Sequence, residues 1–248
     1  MTIGPSHDRR LRPATAAAAT LLAGAFYGWA RLRHGKPIHT RGSVHTARLI
    51  RHGLTAAELP AWFTRPGEVY GVARLSRGLS VPRPLPDVLG LALRFPGPAG
   101  SPSDLLLSTT GLAPFARHLM LPRRDPARVP YTTLTPYRSE HGSVLFAALP
   151  APAAHRAGAG GPLLRFTLAS ATPMSAWQPF GSVELTPPPA GLVDPPVAFD
   201  PVLHPLPGLW LPQPVARIRA ASYRAARRGR AGRLDELEAV PAGSPDEA

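Results

Sequence analysis

The stretch that decides the fold is Val69–Phe95, VYGVARLSRGLSVPRPLPDVLGLALRF. Its two ends, Val69–Ser76 and Val88–Phe95, are apolar, and residues of like character recur at every second position. A period of two predicts β-strands that rest one face on a hydrophobic core. Four small residues on these strands would leave room for a bulky group against the sheet: Gly71, Ala73, Gly90 and Ala92.

Further short apolar segments recur along the chain and are separated by loops rich in proline and glycine. The 33 prolines and 23 glycines fit short strands with frequent turns better than long helices. Together with the two central strands they predict about seven strands in antiparallel succession, in a closed barrel or a sandwich. The additional predicted strands are Gly42–Ile50, Asp104–Thr109, Ser143–Leu149, Leu163–Ala171 and Phe180–Thr186.

Helices are predicted at only a few places. Thr55–Phe63 opens with a capping-box pattern and predicts a short helix. Leu112–Arg124 is expected to be irregular or partly helical, and Val215–Arg228 to be a helix. The proline-rich stretch Pro187–Pro214 is expected to wrap the outside of the domain without regular structure.

The chain divides into three parts by composition. Residues 1–35 form an N-terminal apolar helix, a targeting segment or an anchor, residues 36–234 form one domain, and residues 235–248 form a disordered tail. The run Ala14–Ala30 follows three arginines and has 17 residues, fewer than the roughly 20 that span a membrane. An export signal, a membrane anchor and a helix packed on the domain all stay open. We therefore expect a cytoplasmic or membrane-associated protein, or alternatively one exported through this signal.

Charge and cysteine content exclude some classes of function. The net charge of +13 comes almost entirely from arginine, because Lys36 is the only lysine. The arginines are scattered along the chain, so we expect no specific nucleic-acid partner. The chain has no cysteine, which excludes disulfides, a thiolate nucleophile and metal ligation by cysteine.

Four segments carry a resemblance to haem catalases. Asp87–Phe95, DVLGLALRF, resembles their D-x-x-G-x-A-x-[KR]-F segment, and Ala73–Ser76 resembles their V-R-F-S strand. Lys36–Gly42, KPIHTRG, resembles R-x-V-H-A-K-G, and Arg219–Tyr223, RAASY, resembles R-x-x-x-Y. The resemblance leaves about half of the chain unmatched. It implies a β-rich, α+β fold: a closed antiparallel β-barrel of seven to eight strands with a few flanking helices.

The resemblance implies haem as a cofactor, with the iron bound by Tyr223. Residues four apart share a face of a helix, so Arg219 can point its guanidinium at the Tyr223 oxygen. A free phenol has a pKa of about 10, and a neighbouring cation and a ferric ion both favour the phenolate. The resemblance also makes Lys36, Arg74 and Arg230 partners of the haem propionates.

Three residues carry the catalytic roles that the resemblance implies. His39 corresponds to the distal histidine, which would move a proton between peroxide oxygens, and imidazole suits this near neutral pH. Ser76 corresponds to the serine that hydrogen-bonds this histidine, and Thr109 stands in the place of the distal asparagine. Because a hydroxyl is a less directional partner than an amide, we expect a peroxidase or hydroperoxide-metabolising oxidoreductase with weak catalase activity.

Two other functions stay open. One is a haem-free protein of the catalase fold that binds an anionic or apolar small molecule in a pocket shaped by the four small residues above. The other, less favoured, is a phosphoester hydrolase, whose metal ligands would come from the dense set of His34, His39, His45 and His52. The expected partners are a peroxide or hydroperoxide, a membrane surface bound through the N-terminal helix, and other copies of the chain.

Overall fold

A computed structural model of the chain describes residues 41–53, 58–78, 81–82, 84–154, 163–186 and 197–217. In these residues, helical structure is limited to α1 (Ala61–Thr64), 3₁₀ turns at Pro98–Gly100 and Ala116–His118, and one turn at residues 213–217. No described helix has the length and apolar character that crossing a membrane requires. The strands are β1 (Arg41–Arg51), β2 (Gly67–Arg77), β3 (Leu89–Pro96), β4 (Pro102–Thr109), β5 (Tyr131–Thr132), β6 (Tyr137–Ser139), β7 (Gly142–Ala154), β8 (Leu163–Ala171) and β9 (Gln178–Thr186).

Eight of the strands close into an antiparallel barrel in the order β1, β2, β3, β4, β5, β7, β8, β9, with β9 pairing back onto β1. Closure pairs each of these eight strands on both sides over at least part of its length. The short β5 completes the ring because it pairs with both β4 and β7. The remaining strand, β6, forms a hairpin with β7. The chain therefore has the closed antiparallel barrel that the catalase resemblance implies.

The inside of the barrel is a hydrophobic core. Alternate residues of the strands point inward, as the period of two predicts, and Leu91, Leu93 and Val183 are almost completely buried. The rings of Phe63, Phe146 and Phe180 pack with centroids 5.3 to 5.9 Å apart. A void of about 20 Å³ remains among these residues, which has room for about one water molecule. The chain's own side chains fill the interior.

The four small residues of β2 and β3 do not line one pocket, so this part of the sequence interpretation is wrong. Gly71 and Ala73 lie on the inner face of β2, whereas Gly90 and Ala92 lie on the outer face of β3. A Cβ on Gly71 would collide with the Arg94 carbonyl oxygen and lie 2.8 Å from the Phe95 ring. Only the pair on the outer face of β3 lies away from the core.

All seven predicted strands are confirmed, six of them with changes at their ends. β5 and β6 were not predicted, and β7 runs five residues beyond the predicted end at Leu149. Helix α1 begins at Ala61 with Pro60 as its N-cap, and residues 58–60 of the predicted helix Thr55–Phe63 are not helical. Residues 54–57 lie outside the described residues, as do residues 1–35, the tail 235–248 and most of the predicted helix Val215–Arg228.

A segment after β9 is attached to the outside of the barrel by a buried carboxylate. Asp104 on β4 is fully buried and accepts two hydrogen bonds from Arg94, at 2.6 and 2.7 Å. The backbone N–H of Asp200 donates to the same carboxylate at 2.6 Å, and His204 Nδ1 lies 3.0 Å from it. We call Arg94, Asp104, Asp200 and His204 the Asp104 cluster. It attaches residues 200–204, within the stretch predicted to wrap the domain, to β3 and β4.

Candidate functional site

The eight predicted site residues divide into two groups. Lys36, His39, Arg219, Tyr223 and Arg230 lie outside the described residues. Arg74, Ser76 and Thr109 are described, on β2 and β4. The geometry of the site is therefore built from these three residues and their neighbours on the barrel.

A row of small residues crosses the outer face of four neighbouring strands. Gly42 lies opposite Ser76, Ser76 opposite Gly90, and Gly90 opposite Ser108. We call Gly42, Ser76, Gly90 and Ser108 the outer row. Because neighbouring strands lie about 4.8 Å apart, the row extends over about 14 Å. No side chain in it is longer than that of serine, and Gly90 at its middle is buried.

Arg74 places a cation beside the outer row. It lies two residues before Ser76 on β2, on the same face, and pairs with Val44 on β1 and Ala92 on β3. Its guanidinium carbon lies only 3.0 Å from the point that a Cβ on Gly42 would occupy. A side chain at residue 42 would therefore displace Arg74, and the glycine lets the guanidinium fold over the end of the outer row.

Two hydroxyl groups belong to the outer row. Ser76 Oγ lies 3.4 Å from the carbonyl oxygen of Gly90, a long distance for a hydrogen bond. Ser108 stands one strand beyond Gly90, half-buried. A group bound on the outer row would meet one hydroxyl on each side of Gly90.

Thr109 does not join this arrangement. It is fully buried on the face of β4 opposite to Ser108. Its hydroxyl accepts a hydrogen bond from the Leu89 backbone N–H at 3.1 Å and donates one to the Leu121 carbonyl oxygen at 2.8 Å. The hydroxyl proton is thus used within the fold, and Ser108 occupies the outer row instead. Sequence reasoning missed Ser108, although the alternation along β4 distinguishes its face from that of Thr109.

Of the dense histidine set, His34 and His39 lie outside the described residues, and His45 and His52 belong to them. His45 is buried on β1, with Nε2 2.8 Å from Ser43 Oγ. His52 Nε2 lies 3.4 Å from Ser182 Oγ. Among the described residues no group of three or more histidine, aspartate or glutamate side chains could hold a metal ion.

The fold and the outer row define a closed antiparallel barrel with a row of small residues on its outside. No family model matches the chain, and a search of curated proteins found no match. Among solved structures, the chain is similar to the crystal structure of a fungal catalase, with 13% sequence identity and a TM-score of 0.53. The alignment covers 92% of this chain and 63% of that catalase, so the chain spans less than two thirds of its length. At this identity the likeness concerns the fold, which is a catalase-like barrel.

Proposed function

We propose that the chain binds haem against the outer row and acts on hydrogen peroxide or organic hydroperoxides as a peroxidase-type oxidoreductase with weak catalase activity. The observation that carries this proposal is the outer row itself, a strip about 14 Å long without large side chains, with the Arg74 guanidinium at its end. The catalase-like barrel supports it as well.

The described residues suit a flat ring that carries carboxylates. Neither Gly42 nor Gly90 projects a side chain from the outer face of the sheet. Arg74 can form charge-assisted hydrogen bonds to a carboxylate, which a guanidinium binds through two parallel N–H groups. Among the described core residues the void of about 20 Å³ has room for about one water molecule. A haem-sized group therefore does not fit among these core side chains.

The residues outside the described part complete the proposal. Haem bound through Tyr223 would supply the electrons that cleave the O–O bond of a peroxide. Arg219 would favour the phenolate form of Tyr223, and Lys36 and Arg230 would join Arg74 in binding the propionates. His39 would take the proton from one peroxide oxygen and return it to the other.

Ser76 and Ser108 give the proposal its expected specificity. Ser76 would hold the His39 imidazole, as the resemblance implies. Ser108, rather than Thr109, would face the peroxide, because it shares the outer row with Ser76 and Gly90. A serine hydroxyl offers one donor where an amide offers two. We therefore expect organic hydroperoxide reduction to exceed dismutation of hydrogen peroxide.

The first test is a haemin titration of the full chain followed by its absorption spectrum. We expect a Soret band whose position changes in Tyr223→Phe, because the iron loses its anionic oxygen ligand. Ser108→Leu places a branched side chain in the outer row and is expected to weaken haemin binding at least about 10-fold, about 1.4 kcal/mol or more. Thr46→Leu, on the outer face of β1 but outside the row, is the matched control and is expected to bind like the wild type.

Two results would contradict the proposal. One is a wild-type chain without a Soret band after supplementation with haemin, which favours the haem-free protein with Arg74 binding an anionic molecule. The other is equal affinity of Ser108→Leu and Thr46→Leu, which removes the outer row from the site. An unchanged spectrum in Tyr223→Phe would separately refute the ligand assignment.

A further inference from the structure

A second surface of the barrel carries large apolar side chains in contact with solvent. Phe115 is 82% exposed, Met174 61%, Leu119 52% and Leu112 37%. They lie on the loop that follows β4 and on the turn between β8 and β9. We call these four residues the loop patch. Single exposed apolar residues are common, but a cluster of this kind marks a surface that contacts another molecule.

Arg117 holds the two loops together. It is almost completely buried, and its guanidinium donates to the carbonyl oxygens of Thr172 at 2.9 Å, Ser175 at 3.0 Å and Leu112 at 3.2 Å. Trp177 Nε1 also donates to the Leu112 carbonyl oxygen, at 2.9 Å. The Arg117 guanidinium lies 4.6 Å from the centroid of the Trp177 ring. The backbone beneath the loop patch is therefore rigid, and its side chains are held outward rather than folded onto the barrel.

The charge around the loop patch indicates what it contacts. The loop after β4, residues 110–130, contains four arginines, one histidine and one aspartate, Asp125, which pairs with Arg128 at 3.5 Å. Residues 172–179 contain no charged residue. The whole chain carries a net charge of +13. An anionic surface is thus attracted by the protein as a whole, and Asp125, the one carboxylate on the two loops, is paired with an arginine.

The area of the loop patch favours a lipid surface over a protein partner. A stable protein interface buries about 800 Å² on each partner. Four partly exposed side chains of this size offer on the order of 400 Å², since even an aromatic residue buries only about 150–250 Å². A lipid bilayer needs less contact area, because a few inserted apolar side chains act together with attraction to anionic headgroups.

We propose that the loop patch is a membrane-docking surface, with Phe115 and Met174 inserted among the headgroups and upper acyl chains of an anionic bilayer. Insertion to a depth of about 5–10 Å is typical of such interfacial contacts. This surface is built by the barrel domain and is distinct from the apolar run Ala14–Ala30. The barrel then sits on the membrane and does not cross it.

The test is co-sedimentation of the full chain with phosphatidylcholine vesicles prepared with and without phosphatidylserine. We expect binding only where phosphatidylserine is present, and a decrease as salt is raised. Phe115→Ser combined with Met174→Ser should weaken binding at least about 10-fold, because two apolar side chains no longer insert. Leu85→Ser combined with Leu203→Ser is the matched control, since these leucines are 54% and 59% exposed outside the loop patch, and it should bind like the wild type.

Each other outcome refutes the proposal. If the Phe115/Met174 variant binds vesicles as tightly as the wild type, the membrane contact lies elsewhere on the protein. If the control variant loses as much vesicle binding as the Phe115/Met174 variant, the effect is nonspecific. Equal binding to both kinds of vesicle removes the role of anionic lipid. Sedimentation velocity without lipid measures the oligomeric state. A wild-type dimer that dissociates in Phe115→Ser would show that the loop patch is a contact between copies of the chain. All four substituted residues are exposed, so near-UV circular dichroism should show an unchanged fold.

Discussion

His45 links the stability of the barrel to pH. It is buried on β1, and this burial lowers the pKa of the imidazole below its ordinary value of 6.5. The unfolded chain takes up a proton near that value, whereas the folded chain takes it up only at lower pH. Protons therefore favour the unfolded state, and the stabilising contribution is fully present above about pH 6.5 and is lost as pH falls.

We expect the free energy of unfolding in urea to be lower at about pH 5.5 than at about pH 7.5 for this reason. His45→Gln cannot titrate and should reduce this difference. His141→Gln, at an exposed position between β6 and β7, should leave the difference as in the wild type. An identical pH dependence in wild type and His45→Gln would show that His45 is not the group responsible.

The sequence predicted the residue types at the site better than the face of the sheet on which each residue lies. Arg74 and Ser76 lie on the outer face of β2, as the alternation around them predicts. Thr109 was placed by correspondence with a family motif, and such a correspondence shifted by one residue moves a side chain to the other face of the sheet. Ser108 was therefore accessible to sequence reasoning through the period of two, and the motif alone pointed to its neighbour.

Among the elements, the segment after β9 depends on the Asp104 cluster. Arg94 reaches beyond Asp104 to the carbonyl oxygen of Ala198 at 2.6 Å, and its guanidinium lies 5.1 Å from the centroid of the Phe199 ring. Hydrogen bonding to Asp104 raises the pKa of Arg94, so this guanidinium stays charged. One side chain thus fixes both β3 to β4 and the wrapping segment to the barrel.

Removing Arg94 leaves the buried Asp104 carboxylate without its cation. We expect Arg94→Ala to lower the free energy of unfolding by about 3 kcal/mol. Arg128→Ala, which removes an arginine paired with Asp125 at an exposed position, should change it by less than about 1 kcal/mol. Urea denaturation measures both. Similar values for the two variants would mean that the wrapping segment is attached by other contacts.

The short strands β5 and β6 were not predicted because no local sequence pattern specifies them. β5 has two residues and β6 has three, too few for a periodic pattern. Their positions are set by pairing with β7, and for β6 also by the backbone pair of Arg138 with Trp210. Long strands such as β3 and β8 carry their own pattern, which is why their bounds were predicted within one residue.

At the scale of the whole molecule, the barrel is completed where β1 meets β9. On its outer face an ionic ladder crosses four strands, from Glu68 to Arg48, Glu184 and Arg165. Hydrogen bonding to Glu68 raises the pKa of Arg48, so the Arg48 guanidinium stays charged. Gly181 lets the strands approach, because a Cβ there would lie 2.5 Å from the Ile50 carbonyl oxygen. The choice between barrel and sandwich depends on this pairing, which no local pattern reveals.

Filling this close contact should weaken closure. We expect Gly181→Val to lower the free energy of unfolding by about 2 kcal/mol or more, because the new side chain meets backbone that cannot move aside. Thr46→Val, at an exposed position of the same β1–β9 seam, should change it by less than about 0.5 kcal/mol. Thermal and urea unfolding measure the two variants, and equal stability would show that β9 adapts to a side chain at 181.

The same seam determines when the protein can acquire its shape during synthesis. Arg48 and Glu184, which bind each other across it, are 136 residues apart along the chain. A ribosome delivers the N-terminal strand many seconds before its last neighbour emerges, at roughly 5–20 residues per second. Until then β1 can pair only with β2, and its other edge has no strand partner. We therefore expect the barrel to close only late in translation, after β9 has emerged.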